Sequence, residues 1–382
     1  MSLLRAGFDA QVYELARELR EVGAGINISP NASRVLHRLG LAKDLAAVAV
    51  RPLAFRQRRW DDGRTLLHSP LGDAVEATFG APHYQAHRAD LLLALLRAFP
   101  AERLHAGERC VGLHQDGDRV TAEFASGARV AADVVVGADG IHSTVRRLLL
   151  GADSPRFTGC AAYRGLVPAD RLAHLDLPVE CEIWMGPGQH FVHYFVQGGR
   201  LVNFVAVVEE ESWTRESWTD RGDIADVLAA YAGWHPQLHA ILGAADETFK
   251  WGLFERPPLP RWSAGGVTLL GDACHAMLPF MAQGAAQAIE DGAALAACLA
   301  KFGGLGIPEA LRVYESLRLP RASRVQALSR DNKMRFHLPD GPEQQARDTE
   351  MADGSTDWSF KAVAWIYAHD ADVVDGAVPQ LV

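Results

Sequence analysis

A chain of 382 residues, 48% of them hydrophobic, can bury one large core or two modest ones, and its length predicts two domains. A net charge of -9 without any run of lysine or arginine weighs against nucleic acid and anionic membrane as partners, so an anionic small substrate needs positive charge gathered locally. The cysteines (Cys110, Cys160, Cys181, Cys274 and Cys298) are odd in number, scattered and free of any CxxC pair, which weighs against a disulfide framework or a zinc site and fits a reducing cytoplasm. No metal is expected. No window approaches the roughly 18 uncharged apolar residues of a membrane span, and the amino terminus lacks a basic-then-apolar signal pattern.

Leu3 to Ala6 followed by Gly7 reads as a helix end with a glycine stop, and Ala10 to Tyr13 as a strand ending at Glu14. In a dinucleotide-binding βαβ unit a Gly-rich turn lies about 20 residues before the acid that holds the ribose hydroxyls. Only 13 residues precede Glu14, so the chain is expected to start inside the first helix of such a unit, N-terminally truncated, without the first strand and its GxGxxG turn. Gly23-Ala24-Gly25 does not replace that turn and reads as a loop. Glu14 is either the ribose-binding acid or a solvated strand end. Ser29-Pro30-Asn31 starts a helix, with Ala32, Val35, Leu36, Leu39 and Leu41 at helical spacing. Between Arg51 and Tyr84 short strands are broken at Asp61-Asp62-Gly63 and Pro70-Leu71-Gly72, which marks entry into a second layer. His87 to Leu91 then opens an apolar helix running to Phe99. Arg88, at its start, is either an exposed arginine or a guanidinium placed to neutralise phosphate.

Val120 to Phe124 and Ala128 to Val130 flank Ala125-Ser126-Gly127 as a hairpin. The run Val134-Val135-Val136 predicts a strand buried on both faces, and it leads into Gly137-Ala138-Asp139-Gly140-Ile141-His142-Ser143-Thr144-Val145-Arg146. From Cys160 to Phe254 strands dominate, forming a sheet on the substrate side. Within it His190, Val192 and Tyr194 share a face by the period of two, where a His and a Tyr can both reach a cavity. The competing arrangement turns Phe191, His193 and Phe195 inward. Val267 to Leu270 is a short apolar strand ending at Gly271-Asp272, a carboxylate at the strand end where open α/β sheets bind ligands. Asp272 is therefore a candidate for holding cofactor hydroxyls. Gly284, Ala285, Ala286 and Ala288 carry almost no side chain, so a flat ring or a pyrophosphate has access to the backbone at a helix start. Beyond Lys333 a turn at His337 to Pro342 precedes an aromatic amphipathic helix over Asp357 to His369, whose Trp residues read as packing.

The segments Glu14 to Asn31, His87 to Leu91, Gly137 to Arg146 and Gly271 to Asp291, in that order, resemble the motifs of the FAD-dependent aromatic-ring monooxygenases, the family of salicylate, hydroxybenzoate and 6-hydroxynicotinate hydroxylases. The resemblance runs from about Phe8 to the end of the chain. It implies an α/β fold with a Rossmann-like FAD-binding domain of the glutathione-reductase type over residues 1–60, 85–155 and 265–330. An interleaved β-sheet substrate domain is expected over 61–84 and 156–264, and a C-terminal helical segment over 331–382, which covers the flavin domain or the partner chain of a homodimer.

The same resemblance implies FAD as cofactor, with Glu14, Arg88, Asp139, Gly140, Gly271, Asp272, Gly284 and Ala285 as its binding residues, and NADH or NADPH as co-substrate. It implies hydroxylation of a small phenolic or hydroxy-heteroaromatic acid by dioxygen through a flavin C4a-hydroperoxide. His190 is expected to deprotonate the ring hydroxyl, Tyr194 to orient the ring, and Pro279 to border the reactive edge of the flavin. Two other readings stay open: a flavin reductase or dehydrogenase on the same fold, and an aromatic-ligand-binding protein without FAD.

Overall fold

The structure, a computed structural model, describes residues 1–19, 24–213, 221–354 and 361–374. Its largest element is an eight-stranded sheet in the order Arg221–Gly222, Thr248–Glu255, Arg156–Pro168, Leu201–Glu209, Gln189–Val196, Cys181–Gly186, Ala54–Arg59, Thr65–Pro70. All neighbours are antiparallel except Cys181–Gly186 with Ala54–Arg59. The sheet therefore begins before residue 61, where the substrate domain was expected to start. Ala54–Arg59 shows no apolar alternation because Arg56 and Arg58 are neutralised by Glu180 and Glu182, at 2.6 and 3.0 Å.

The other layer, where the cofactor is expected, holds two parallel strand pairs, Val12–Glu14 with Leu104–Ala106 and Val135–Gly137 with Val267–Leu269. The valine run is half-buried rather than enclosed on both faces. Among the described residues Val135–Gly137 has a neighbouring strand only on the Val267–Leu269 side. Gly25, expected in a loop, starts the strand Gly25–Ile28, which pairs with Tyr84–His87; Gly23 lies outside the described residues. Helices Pro30–Arg38, Arg88–Ala98 and Thr144–Leu150 follow the expected starts. The long helices Gly284–Phe302 and Ile307–Phe336 pack on each other, and the second runs through the boundary expected at 330. Of the aromatic helix expected over Asp357 to His369, residues 357–360 lie outside the described ones, and within 361–369 the helix is confined to Ala364–Tyr367, shorter than expected. Among the described residues no helix is long and apolar enough to cross a membrane, and all five cysteines are unpaired.

One core lies under the cofactor layer, around Val145, Leu269, Leu295, Leu311 and Tyr314, and a second lies under the sheet, around Trp184, Phe191, Phe204 and Ile241. A charged cluster is buried beside the first. Glu290 and Asp291, adjacent on Gly284–Phe302, are both fully buried. Arg318 of the second long helix, 1% exposed, brings Nε to 2.7 Å from Asp291 and its other nitrogens against Glu290 and Gln287. Asp291 also accepts the Gly271 backbone N–H at 3.0 Å and lies 2.6 Å from His275 Nε2. Burial alone would raise the Asp291 carboxyl, but His275 and Arg318 outweigh it and hold the group down at about 2.

Arg318→Met leaves two buried carboxylates without their main counter-charge, which is expected to cost about 3–5 kcal/mol. The check is the urea midpoint at neutral pH, and an unchanged midpoint contradicts the assignment. The folded pKa of Asp291 is depressed from 3.8 to about 2, so its stabilisation is complete above the unfolded value and is lost as pH falls from about 4 toward 2.

Candidate active site

The sheet and the cofactor layer together line a cavity of about 1060 Å³, at the upper end of the ~300–1,000 Å³ usual for ligand sites. Part of its lining is nearly bare backbone: Gly25, Gly140, Gly271, Gly284, Ala285 and Ala288. Gly271 has φ +63°, and a Cβ there would meet the Ala288 methyl at 3.2 Å. A Cβ at Gly284 would meet nothing within 4 Å, so the start of helix Gly284–Phe302 opens on the cavity with its first-turn N–H groups unspent inside the helix. Asp272 lines the same region, is exposed, and takes no hydrogen bond from a protein donor among the described residues. Arg88 lines it too, and its backbone N–H bonds Ala24 O at 2.9 Å.

The other expected cofactor residues are placed differently. Asp139 is outside the lining: its carboxylate accepts Ser143 Oγ, Thr144 N at 2.7 Å and Val145 N at 3.1 Å, while Ser143 Oγ accepts Arg146 N at 2.9 Å. These two side chains therefore cap helix Thr144–Leu150. Arg146 then bonds Ala273 O at 3.1 Å, linking this turn to the Gly271–Asp272 turn. Glu14 ends its strand, accepts the Ala16 N–H at 2.8 Å, and also lies outside the lining.

The strand Gln189–Val196 presents His190, Val192 and Tyr194 to the cavity. The opposite face is buried as well, with Phe191 in the second core and His193 3.2 Å from Glu182. His190 and Tyr194 are four residues apart, about 13 Å along the strand. Tyr194 packs on Gly25, where a Cβ would come within 2.6 Å of its ring, and the Gly25 N–H is fixed by Asn203 Oδ1 at 2.7 Å. His190 sits against the Phe280 and Phe336 rings, at 4.8 and 5.3 Å between centroids.

Pro279 lies in the lining loop Ala276–Ala282, which three side chains of helix Ile307–Phe336 hold by alternate carbonyls. Gln326 donates to Ala276 O at 3.0 Å, Ser329 to Leu278 O at 2.6 Å, and Asn332 to Phe280 O at 3.0 Å. Sequence reasoning missed these residues, although polar side chains recurring every three positions along a half-buried helix are a readable signal. It also missed the cavity's charge. Arg88, Arg164, Arg324 and Arg335 line the cavity, and Asp272 is the one carboxylate residue among its described lining. Trp365, read as packing, lines it too and lies under Arg324 at 3.9 Å.

Residues 1–329 match the family described as the FAD binding domain. The chain is 44% identical over 370 residues to the 3-amino-4-hydroxybenzoate 2-monooxygenase PtmB3 of Streptomyces platensis, covering 97% of this chain and 92% of that one. It is 40% identical over 333 residues to a 6-hydroxynicotinate 3-monooxygenase of Bordetella bronchiseptica, covering 86% of each. The chain belongs to the FAD-dependent aromatic-ring monooxygenases. Among solved structures, this monooxygenase is similar to a salicylate hydroxylase substrate complex (TM-score 0.79, 28% identity, 94% of this chain and 92% of that one). It is also similar to Klebsiella pneumoniae HpxO complexed with FAD and uric acid (TM-score 0.84, 25% identity, 98% and 92%).

The residues fit the cofactor: an uncommitted carboxylate, an open helix start and a small-residue lining meet hydroxyls, phosphates and a flat ring respectively. Asp272→Ala is expected to weaken FAD binding by about 10- to 100-fold, the worth of a charge-assisted hydrogen bond. Fluorescence titration checks this, and an unchanged dissociation constant removes Asp272 from the cofactor site.

Proposed function

We propose that this monooxygenase hydroxylates the ring of a phenolic or hydroxy-heteroaromatic carboxylic acid, with reduced nicotinamide and dioxygen as co-substrates. The observation that carries the reading is the joining, in one cavity, of a small-residue cofactor wall with His190, Tyr194 and the four arginines. The substrate class follows the relatives, whose names specify an aminohydroxybenzoate and a hydroxynicotinate. Bound against Arg88, Gly271, Asp272, Gly284 and Ala285, FAD supplies hydride acceptance and dioxygen activation. The five unpaired cysteines, four of them buried, are compatible with a reducing cytoplasm.

Arg164 is the proposed partner of the substrate carboxylate. Its guanidinium lies 4.6 Å over the Trp251 ring, its Nε is buried without a partner, and among the described residues no carboxylate pairs with it. Burial, with Arg88 acting in the same direction, lowers the group to about 10, so it stays charged at neutral pH. A charge so placed is costly until an anion meets it.

His190 is the proposed base. Burial, reinforced by His337, pushes its pKa well below the ordinary value, so the ring is neutral at pH 7 and has a nitrogen lone pair to offer. Accepting the proton of the substrate's ring hydroxyl raises electron density on the carbon to be hydroxylated. Tyr194 orients the ring, and the tethered Pro279 loop keeps water from the reacting face.

His190→Ala is expected to slow hydroxylation by roughly 10²- to 10⁴-fold while leaving flavin reduction near the parent rate. Product and released peroxide are followed separately, and hydroxylation at the parent rate defeats the assignment. Arg164→Met is expected to raise KM for the acid about 10- to 100-fold, with a much smaller change for the neutral amide of the same compound. Equal effects on acid and amide would remove the carboxylate role.

A further inference from the structure

His190 is connected beyond the cavity. Its Nδ1 lies 2.7 Å from Nε2 of His337, and His337 Nδ1 lies 3.1 Å from Oε1 of Glu209. His337 follows the last turn of helix Ile307–Phe336 and is buried, whereas the Glu209 side chain, at the end of strand Leu201–Glu209, is 51% exposed. Backbone bonds hold the three groups together: the Gly188 N–H donates to His337 O at 3.0 Å, and the Glu209 N–H to Gly188 O at 3.2 Å. The row His190, His337, Glu209 thus leads from the cavity lining to the protein surface.

The proton positions follow from the outer end. The hydrogen bond from His337 holds the Glu209 carboxyl below its usual range, so at neutral pH it is ionised and only accepts. His337 Nδ1 must therefore carry hydrogen. Burial keeps His337 neutral, with Lys333 opposing protonation and Glu209 favouring it, so its Nε2 holds a lone pair. That lone pair accepts from His190 Nδ1–H. The remaining nitrogen, His190 Nε2, is left unprotonated and has no protein partner among the described residues, on a side chain that lines the cavity.

We propose that Glu209 and His337 are positioning residues forming a proton relay, which presets His190 as a base on its cavity nitrogen and conducts the substrate's proton to solvent. The proposal rests on His190 being the base. As the substrate O–H bond breaks, its proton bonds to His190 Nε2, the Nδ1 proton passes to His337 Nε2, and the His337 Nδ1 proton passes to Glu209 and on to water. Both imidazoles end neutral, in the opposite tautomer. The row resets when the product oxyanion takes the proton from His190 Nε2 and a proton enters at Glu209 in return. A buried imidazole beside a second imidazole does not hold an extra positive charge, which is why an onward path matters here. Among the described residues, the charged and titratable groups facing the row are Lys333, which also donates to Thr158 O at 2.7 Å, and the Cys160 thiol, which burial pushes up and which interacts with Glu209 and Lys333.

The test uses the FAD-loaded enzyme with 3-amino-4-hydroxybenzoate, or with 6-hydroxynicotinate if the first is not turned over. Glu209→Gln keeps an acceptor for His337 but cannot take its proton, and His337→Phe removes the middle of the row. Stopped-flow absorbance reads phenolate formation and a pH indicator reads proton release. Each variant is expected to slow both by roughly 10- to 100-fold, part of the contribution of the general base itself. KM should change less than kcat, and the rate should climb with pH as hydroxide takes over. Should His337→Phe fail to fold, the surface variant Glu209→Gln carries the test alone. Parent rates and the parent pH profile in Glu209→Gln overturn the relay. If His190→Ala is impaired while both relay variants are not, only the relay fails; if His190→Ala is also unimpaired, the base assignment fails with it.

Discussion

Arg318 neutralises two carboxylates that sit side by side in the interior, and the position of the cofactor turn depends on that contact. Asp291 has one oxygen for Arg318 and the other for His275 and the Gly271 N–H, so the buried ion pair sets the backbone at the residue before Asp272. Glu290 takes Asn31 Nδ2 at 2.5 Å, which brings helix Pro30–Arg38 into the same network. A network of this kind contributes little net stability over an apolar core of the same shape, yet its partners must all be present. Here that requirement aligns three segments far apart in sequence around one cavity wall.

The cavity gathers arginine in an acidic protein. A chain with net charge -9 would repel small anions, but the described lining of the cavity gathers four arginines and one aspartate. Cofactor phosphates and an aromatic carboxylate are both anions, and a charged cleft with low-dielectric walls attracts them more strongly than the same charges on an open surface. The apolar rings of Phe280 and Phe336 enclose His190, and burial keeps its imidazole neutral.

Much of this was legible in the sequence wherever chemistry demands a special backbone. Gly140 and Gly271 stand out because a positive φ favours glycine there, and with Asp272, Gly284, Ala285 and Ala288 they line the cavity, whereas Ala286, expected beside them, is buried in a core. The period of two placed His190, Val192 and Tyr194 on one face of a strand, and all three line the cavity. What escaped reading depends on partners distant in the chain. The strand Ala54–Arg59 reads as a polar stretch until Glu180 and Glu182 are beside it. His337 lies 147 residues from His190, and no local pattern marks the pair. Asp139 illustrates the converse: its motif is conspicuous, but its carboxylate is consumed in capping the helix that follows.

The most direct measurement is turnover of the FAD-loaded protein with reduced nicotinamide, isotopically heavy dioxygen and a panel of hydroxybenzoic and hydroxynicotinic acids, with products read by mass spectrometry. The expected result is one heavy oxygen atom in the ring of at least one acid, in proportion to the nicotinamide oxidised. Nicotinamide oxidation that yields only peroxide with every acid, or a protein that takes up no FAD, would contradict the account.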